Sequence, residues 1–252
     1  MSSEAHAQPL EWETSAAPLL IVVGIFLALP LAFSAYFVYA NTLMTAILAG
    51  IGAPVLLAGI AKWTSEGMHA KHGQYGFAEA GLPVFIISEI FLFLGLFAAY
   101  WSTRLLSTTW PPEGTPHISY GLPIIMTIIL VSSSFTIHIA EMKHEENDHA
   151  GFKSWLMITI ALGLLFISCS VYEYNHLIHE GFGPSTNVYS GAFYGITGFH
   201  VSHVIVGVSI FIAVLLPALN GHTNKSFISC ASVYWHFVDI IWFFVVSEVY
   251  FW

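Results

Sequence analysis

The chain has 252 residues, of which 56% are hydrophobic and only 8% are Asp, Glu, Lys or Arg. A soluble domain typically carries about 25% charged residues, so this composition excludes an ordinary water-exposed surface and indicates a membrane protein. The formal net charge of −9 with only 6 basic residues excludes the basic surface that binds a nucleic acid backbone.

The first 18 residues are polar and carry Glu4, Glu11 and Glu13 without any Lys or Arg. A secretory signal begins with basic residues and continues into a short apolar core. We therefore expect residues 1–18 to be a cytoplasmic tail.

Seven apolar segments follow, each about as long as the roughly 20 residues that a membrane-spanning helix needs. They cover residues 19–40, 42–62, 82–105, 119–141, 153–177, 189–219 and 229–251. Because lipid offers no partner to an unpaired backbone group, all seven are predicted to be helices and the fold class to be all-α. Pro30 and Pro54 lie within the first two segments and are expected to kink them.

The basic residues are distributed unevenly between the two sides of the predicted spans. The side that contains the N-terminus carries Lys62, Lys71, Lys143, Lys153 and Lys225. The other side carries only Arg104. Positive residues favour the cytoplasmic side, which predicts a cytoplasmic N-terminus and an external C-terminus.

Acidic side chains within the predicted spans are candidate sites, because a charged group is costly at that depth. Glu89 is either a neutral carboxyl that bonds to a neighbouring helix or a group that exchanges protons or contacts a partner. Glu173 and Glu248 lie near the outer ends of their helices, where we expect both to reach the interface.

Histidines and an aspartate form two pairs at helical spacing. His236 and Asp239 share a helix face, where they either hold two helices together or share a proton. His200 and His203 have the same spacing, and with His138 they would supply three nitrogen ligands. A metal site normally needs three or four ligands, but no Glu-x-x-His pair or cysteine-rich set accompanies these histidines on the same helices, so we favour helix packing and expect no metal site.

Gly191 and Gly195 follow the Gly-x-x-x-Gly pattern, and Gly198 lies one turn further on. The pattern predicts that a neighbouring helix approaches this part of the sixth segment closely.

Four stretches of the sequence resemble the signature stretches of subunit III of cytochrome c oxidase, in the same order and spacing. They are Phe85-Ile86-Ile87-Ser88-Glu89-Ile90-Phe91-Leu92-Phe93, Trp110-Pro111-Pro112-Glu113-Gly114, Thr197-Gly198-Phe199-His200-x-x-His203 and Tyr234-Trp235-His236-Phe237-Val238-Asp239. The similarity runs from about residue 71 to the C-terminus, whereas the first two helices match by hydropathy only.

The resemblance implies a two-helix N-terminal unit (19–70) splayed from a five-helix bundle (71–252), with phospholipid in the cleft between them. It implies that this chain carries no redox centre and no catalytic residue, and that haem and copper belong to partner subunits. The main partner would be subunit I, with subunit II and other oxidase subunits nearby and cytochrome c reached through the complex. The membrane would be a bacterial-type inner (plasma) membrane.

The function implied is that of subunit III of a proton-pumping aa3-type cytochrome c oxidase. Such a subunit stabilises subunit I and supports proton uptake while O2 is reduced to water. Quinol oxidase relatives usually have five helices in this subunit, so seven helices favour cytochrome c as the electron donor. A stand-alone proton channel or transporter stays open as an alternative that uses the same buried acids.

The resemblance also transfers the family's intramembrane polar residues to this chain. They correspond to Glu89, His200, His203, His236 and Asp239, and the positions of His138 and Glu173 add these two as further proton-related candidates. The candidate partners for a phospholipid phosphate are Lys62, Trp63, His69, Lys71 and Arg104.

Overall fold

The computed structural model describes residues 15–69 and 76–251. The helices are α1 (Ala17–Phe26), α2 (Ala32–Phe37), α3 (Thr42–His69), α4 (Gly76–Leu106), α5 (Gly121–Glu145), α6 (His149–His179), α7 (Val188–Leu219) and α8 (Lys225–Val245). Within the described ranges, seven helical stretches are long and apolar enough to cross a membrane, the first being Ala17–Tyr36. The all-α class and the seven spans are thus confirmed.

The first span is interrupted by a π-helical turn, Leu27–Leu31, which contains Pro30. Proline lacks a backbone N–H and its ring clashes with the preceding helical turn, and a wider turn relieves both problems. A second π-helical turn, Val246–Tyr250, follows α8. Pro54 lies inside α3, which continues past it without a break.

Two of the helices that begin before their apolar segments, α6 and α8, begin at a polar cap. α6 begins at His149, where the Asp148 side chain accepts a hydrogen bond from the Gly151 N–H at 2.9 Å. α8 begins at Lys225, where the Asn224 side chain accepts from the Phe227 N–H at 3.3 Å. The predicted starts at 153 and 229 were late because polar caps, and not the first apolar residues, begin these helices.

The chain divides into two compact units, Met1–Gly67 and Met68–Trp252. In the first unit, α1 and α3 approach closely at a glycine. A Cβ atom added to Gly24 would lie 2.4 Å from the backbone nitrogen of Leu56. Helices in lipid associate by this kind of close backbone packing.

In the second unit, four helices form a closed ring, since α5 packs against α6 and α8 while α7 packs against the same two helices. α4 packs against α7 and α8. This arrangement places Glu89 of α4, Ser134 of α5 and Asp239 of α8 at helix–helix contacts.

Trp235 of α8 lies at the centre of this ring and is fully buried. Its indole nitrogen donates to the Ser133 hydroxyl of α5 at 2.9 Å. The edge of the indole lies against Gly163 of α6 and Gly207 of α7, where an added Cβ would come within 3.0 Å and 2.6 Å of indole carbons. One side chain therefore connects all four helices of the ring.

Candidate functional site

Glu89 of α4 contacts His203 of α7. Its Oε2 atom lies 3.1 Å from Nε2 of the imidazole, and the two side chains are 14% and 11% exposed. The rings of Phe93 and Phe199 lie 5.2 Å and 4.6 Å from the imidazole centroid. These aromatic rings shield the contact from solvent, and such an environment favours a pair without net charge.

The tautomer of His203 follows from its second ring nitrogen. Nδ1 lies 2.8 Å from the Phe199 carbonyl oxygen, which only accepts hydrogen bonds, so Nδ1 carries a hydrogen. In the neutral ring Nε2 is then an acceptor, and the contact with Glu89 requires a protonated carboxyl. In the imidazolium form the carboxyl is ionised. In either case a single proton is shared between Glu89 and Nε2.

A second polar contact joins α5 to α8. The Ser134 hydroxyl donates to Oδ2 of Asp239, and its oxygen lies 3.2 Å from Nδ1 of His236. The predicted pair on one face of α8 is therefore present, but the two side chains meet through a serine that the sequence did not single out. Oδ1 of Asp239 is buried and has no hydrogen-bond partner within the described residues.

Glu173 of α6 is only 5% exposed and accepts a hydrogen bond from the Tyr250 hydroxyl at 2.7 Å. The expectation that this acid reaches the interface was wrong, because the π-helical turn after α8 brings a hydroxyl to it inside the bundle. Glu173 also lines a cavity of about 240 Å³ together with His117, His176 and Glu180.

Glu248 lies in the same π-helical turn and is half-buried. It accepts a hydrogen bond from the Trp101 indole of α4 at 2.9 Å, so it too is used in a helix contact. One turn along α4, the Arg104 guanidinium lies 5.5 Å from the Trp110 ring centroid, a cation–π distance.

His200 and His138 have opposite environments. His200 is fully buried, and neither ring nitrogen has a hydrogen-bond partner among residues 15–69 and 76–251. Its neighbours are aromatic, with the Trp242 ring at 5.1 Å and the Phe166 ring at 5.8 Å. His138 is exposed on α5.

The possible metal site built from His138, His200 and His203 is not formed. In the part of the chain that the structure describes, no group of three His, Cys, Asp or Glu side chains is placed to hold a metal ion. The reason is geometric: His203 is already bonded to Glu89 and Phe199, and His138 is exposed on α5 whereas His200 and His203 are buried.

The lipid candidates are only partly described. The Lys62 ammonium lies 2.9 Å from Glu66, and Trp63 is 49% exposed. The Ser15 hydroxyl and then Lys62 hold the pKa of Glu66 below its usual value through hydrogen bonds. The side chain of His69 and all of Lys71 lie outside the described residues.

Sequence reasoning missed Ser134 and Tyr250, the hydroxyl partners of the buried acids. A serine hydroxyl within an apolar helix usually bonds to its own backbone, and a tyrosine at the end of a span is typical of the membrane interface, so neither residue was distinguishable in the sequence. The nearest signal in the sequence was the four-residue spacing between Ser134 and His138, which places both on one face of a helix.

Comparison with known proteins identifies similar chains. A family model described as cytochrome c oxidase subunit III matches residues 7–252. The chain is 38% identical over 192 residues to cytochrome c oxidase subunit 3 of Synechocystis sp., covering 75% of this chain and 81% of that protein. It is 41% identical over 191 residues to cytochrome c oxidase subunit 3 of Thermostichus vulcanus, covering 74% and 93%. A probable cytochrome c oxidase subunit 3 of Nocardia farcinica is 37% identical over 177 residues, covering 69% and 87%.

Proposed function

Because the chain belongs to the cytochrome c oxidase subunit III family, we propose that it is subunit III of a proton-pumping aa3-type cytochrome c oxidase. In this role it carries no redox centre, stabilises subunit I and supports proton uptake while O2 is reduced to water. Subunit I is its main partner, and the complex takes electrons from cytochrome c. The membrane is a bacterial inner membrane.

The observation that carries the proton role is the contact between Glu89 and His203. The pair holds one shared proton within the span of α4 and α7. A proton held between a carboxyl and an imidazole can pass from one group to the other within the contact, so either group can hand it to a further acceptor or take it up again. That property suits a group that takes part in proton uptake.

The assembly is tested by purification through an affinity tag on this chain. We expect a haem-bearing subunit to copurify and the complex to consume O2 with reduced cytochrome c as donor. A chain that purifies without any haem-bearing partner contradicts the proposal. Activity with a quinol but not with cytochrome c assigns it to a quinol oxidase instead.

The proton role is tested by Glu89→Gln. The amide keeps the size of the side chain and donates to Nε2 of His203, so the complex should assemble, but it cannot release a proton. We expect slower proton-coupled turnover or a shorter lifetime of the complex during turnover. O2 consumption followed until activity is lost measures both quantities.

A matched control is Ser88→Ala on the same helix, because the Ser88 hydroxyl is exposed and bonds to its own helix at Phe85. This variant should behave as the wild type. Equal turnover and equal inactivation rates in Glu89→Gln and the wild type count against a proton role for Glu89.

Lipid binding is the second part of the proposal. The N-terminal unit has an open apolar groove of about 550 Å³ beside its π-helical turn, lined by Leu29, Pro30, Phe33 and neighbouring side chains. An acyl chain fits such a surface by hydrophobic contact. Phospholipid retained through extensive detergent washing of the complex, and measured by mass spectrometry, supports this part; its complete loss on mild washing contradicts it.

A further inference from the structure

Polar side chains continue along the contact between α5 and α8, beyond the serine that joins His236 to Asp239. On each helix three of them recur at spacings of three and four residues, so they lie on one face. This polar seam consists of Ser134, His138 and Glu141 on α5 and Ser232, His236 and Asp239 on α8.

Hydrogen bonds cross the polar seam at two levels. At the first level the Ser232 hydroxyl donates to Oε2 of Glu141 at 2.8 Å. At the second level Ser134 contacts Asp239 and His236. The two levels are seven residues apart on both antiparallel helices, which corresponds to about 10 Å along the helix axis.

His138 lies between these levels along α5, and His236 lies at the second level, where it contacts Ser134. On α5, His138 lies three residues before Glu141 and four residues after Ser134. On α8, His236 lies four residues after Ser232. An imidazole accepts a proton on one nitrogen and releases one from the other, which makes it a proton relay. The seam therefore alternates carboxyl, imidazole, hydroxyl and carboxyl groups along its length.

The two ends of the polar seam differ in their access to water. Beyond Glu141, where α5 ends and α8 begins, the exposed side chains of Glu145 and Lys225 form an ion pair at 2.9 Å. Glu141 is half-buried, and Asp239 is 6% exposed. The row of polar groups thus leads from an aqueous helix end to a carboxyl inside the bundle.

A purely adhesive role does not account for Asp239. Ser133 and Thr127 of α5 already bond to the indole nitrogens of Trp235 and Trp242 across the same helix contact, without any ionisable group. Asp239 instead keeps a buried oxygen that no described residue bonds. A carboxyl in such a place is costly unless it is neutral, and it can be neutral only by taking up a proton.

We propose that the polar seam is a proton half-channel between the aqueous phase at the Lys225 end and the Asp239 carboxylate. The inference rests on the proposed oxidase role, because it adds a second proton-exchanging group to the same subunit. It is independent of Glu89, which lies on α4 and contacts α7.

The transfer balances as a relay. A hydronium ion protonates the Glu141 carboxylate and becomes water, and the carboxyl proton then moves to an imidazole of the seam. The imidazolium gives its proton to the Ser134 oxygen while the Ser134 hydroxyl proton passes to Asp239. The imidazole then reverts to its first tautomer and the Ser134 hydroxyl rotates back, so each relay group returns to its starting state. One proton has moved from water to Asp239, which becomes a neutral acid.

The test uses the intact oxidase, purified through a tag on this chain and checked for haem. The carbonyl stretch of protonated Asp239 is identified by infrared spectroscopy as the carboxylic band that Asp239→Asn removes. Dilution into D2O shifts this band, and the rate of the shift measures proton exchange. In His138→Phe we expect the exchange to slow by about tenfold or more, since a positioned proton-transfer group typically contributes at least that much.

The matched control is His179→Phe, an exposed histidine at the far end of α6 and outside the polar seam. It should exchange at the wild-type rate, and both variants should melt at the wild-type temperature because both side chains are exposed. Glu141→Gln is the second seam variant: it tests the same relay one turn closer to water, and it keeps the test valid if His138→Phe lowers the yield of the complex.

Two results overturn the inference. One is an exchange rate in both seam variants equal to that of the wild type. The other is the absence of any carboxylic band that Asp239→Asn removes. In both cases an intact, haem-bearing complex leaves the proposed function standing, whereas a chain without a haem-bearing partner contradicts the proposed function itself.

Discussion

Among the residues that the structure describes, three shielded carboxyls of the second unit each have a partner on a different helix. Glu89 is bonded to an imidazole, Asp239 to a serine hydroxyl and Glu173 to a tyrosine hydroxyl. Because a buried polar group without a partner is strongly unfavourable, these contacts fix helix positions as well as hold protons. The consequence at the scale of the residue is that removing a partner should cost more than changing the acid itself.

The Tyr250 hydroxyl offers the sharpest test of this point. Tyr250→Phe removes the donor and leaves the Glu173 carboxyl buried and unpaired, so we expect a loss of about 1–3 kcal/mol in the free energy of unfolding. The melting temperature of the purified complex measures the change.

Glu173→Gln should be milder, because the amide oxygen still accepts from Tyr250. Tyr172→Phe provides a control, since that tyrosine is 65% exposed on the same helix as Glu173. A melting temperature that falls equally in Tyr172→Phe and Tyr250→Phe speaks against a specific role for the buried hydroxyl.

At the scale of the element, the glycines of α7 show which part of the helix makes the close contact. The Gly-x-x-x-Gly pattern predicted close approach at Gly191 and Gly195, and this was wrong. No described atom lies within 4 Å of a Cβ added to Gly195, and for Gly191 the nearest is the Pro184 carbonyl oxygen at 3.5 Å. The close contact occurs more than three turns further on, where Gly207 faces the Trp235 ring.

This difference predicts unequal effects of the same substitution at two positions of one helix. Gly207→Val places a side chain against the rigid indole and should destabilise the bundle by about 1–3 kcal/mol through overpacking. Gly195→Val serves as the control, because it makes the same change in backbone preference at a position where the added side chain has free space. Thermal unfolding followed by tryptophan fluorescence should show a lower midpoint for Gly207→Val alone.

Should both variants unfold at the same temperature, Trp235 is not held tightly between α6 and α7. The contact would then be a loose one, and the indole would rearrange without a measurable loss of stability.

At the scale of the whole molecule, the distribution of lysines predicts the orientation of the chain in the membrane. The positive residues favour a cytoplasmic location for the loop between α5 and α6 and an external location for the loop between α6 and α7. Ala150 and Ser185 are exposed residues next to or within these two loops. A cysteine introduced at either position reports its side of the membrane.

In a background with Cys169 and Cys230 replaced by Ala, a membrane-impermeant maleimide applied to intact cells should label Ser185→Cys and not Ala150→Cys. Both positions should react once the membrane is permeabilised, which controls for accessibility. The reverse pattern would invert the proposed orientation and place the N-terminus outside.

The amino-acid sequence alone determined the membrane as the medium, the all-α class and the seven spans. Each of these depends on the composition of a continuous stretch of about 20 residues, which needs no knowledge of the neighbours. The sequence also identified the ionisable residues within those seven stretches, because their expected cost in lipid depends on chemistry and position along the span.

Only the tertiary structure decided which side chains meet. Helical periodicity places His236 and Asp239 on one face, but it does not say that Ser134 lies between them, nor that a π-helical turn brings Tyr250 to Glu173. The rotation of each helix and the register between helices arise from packing among residues far apart in the chain. Those two quantities, which no single apolar segment encodes, set the partners of every buried acid.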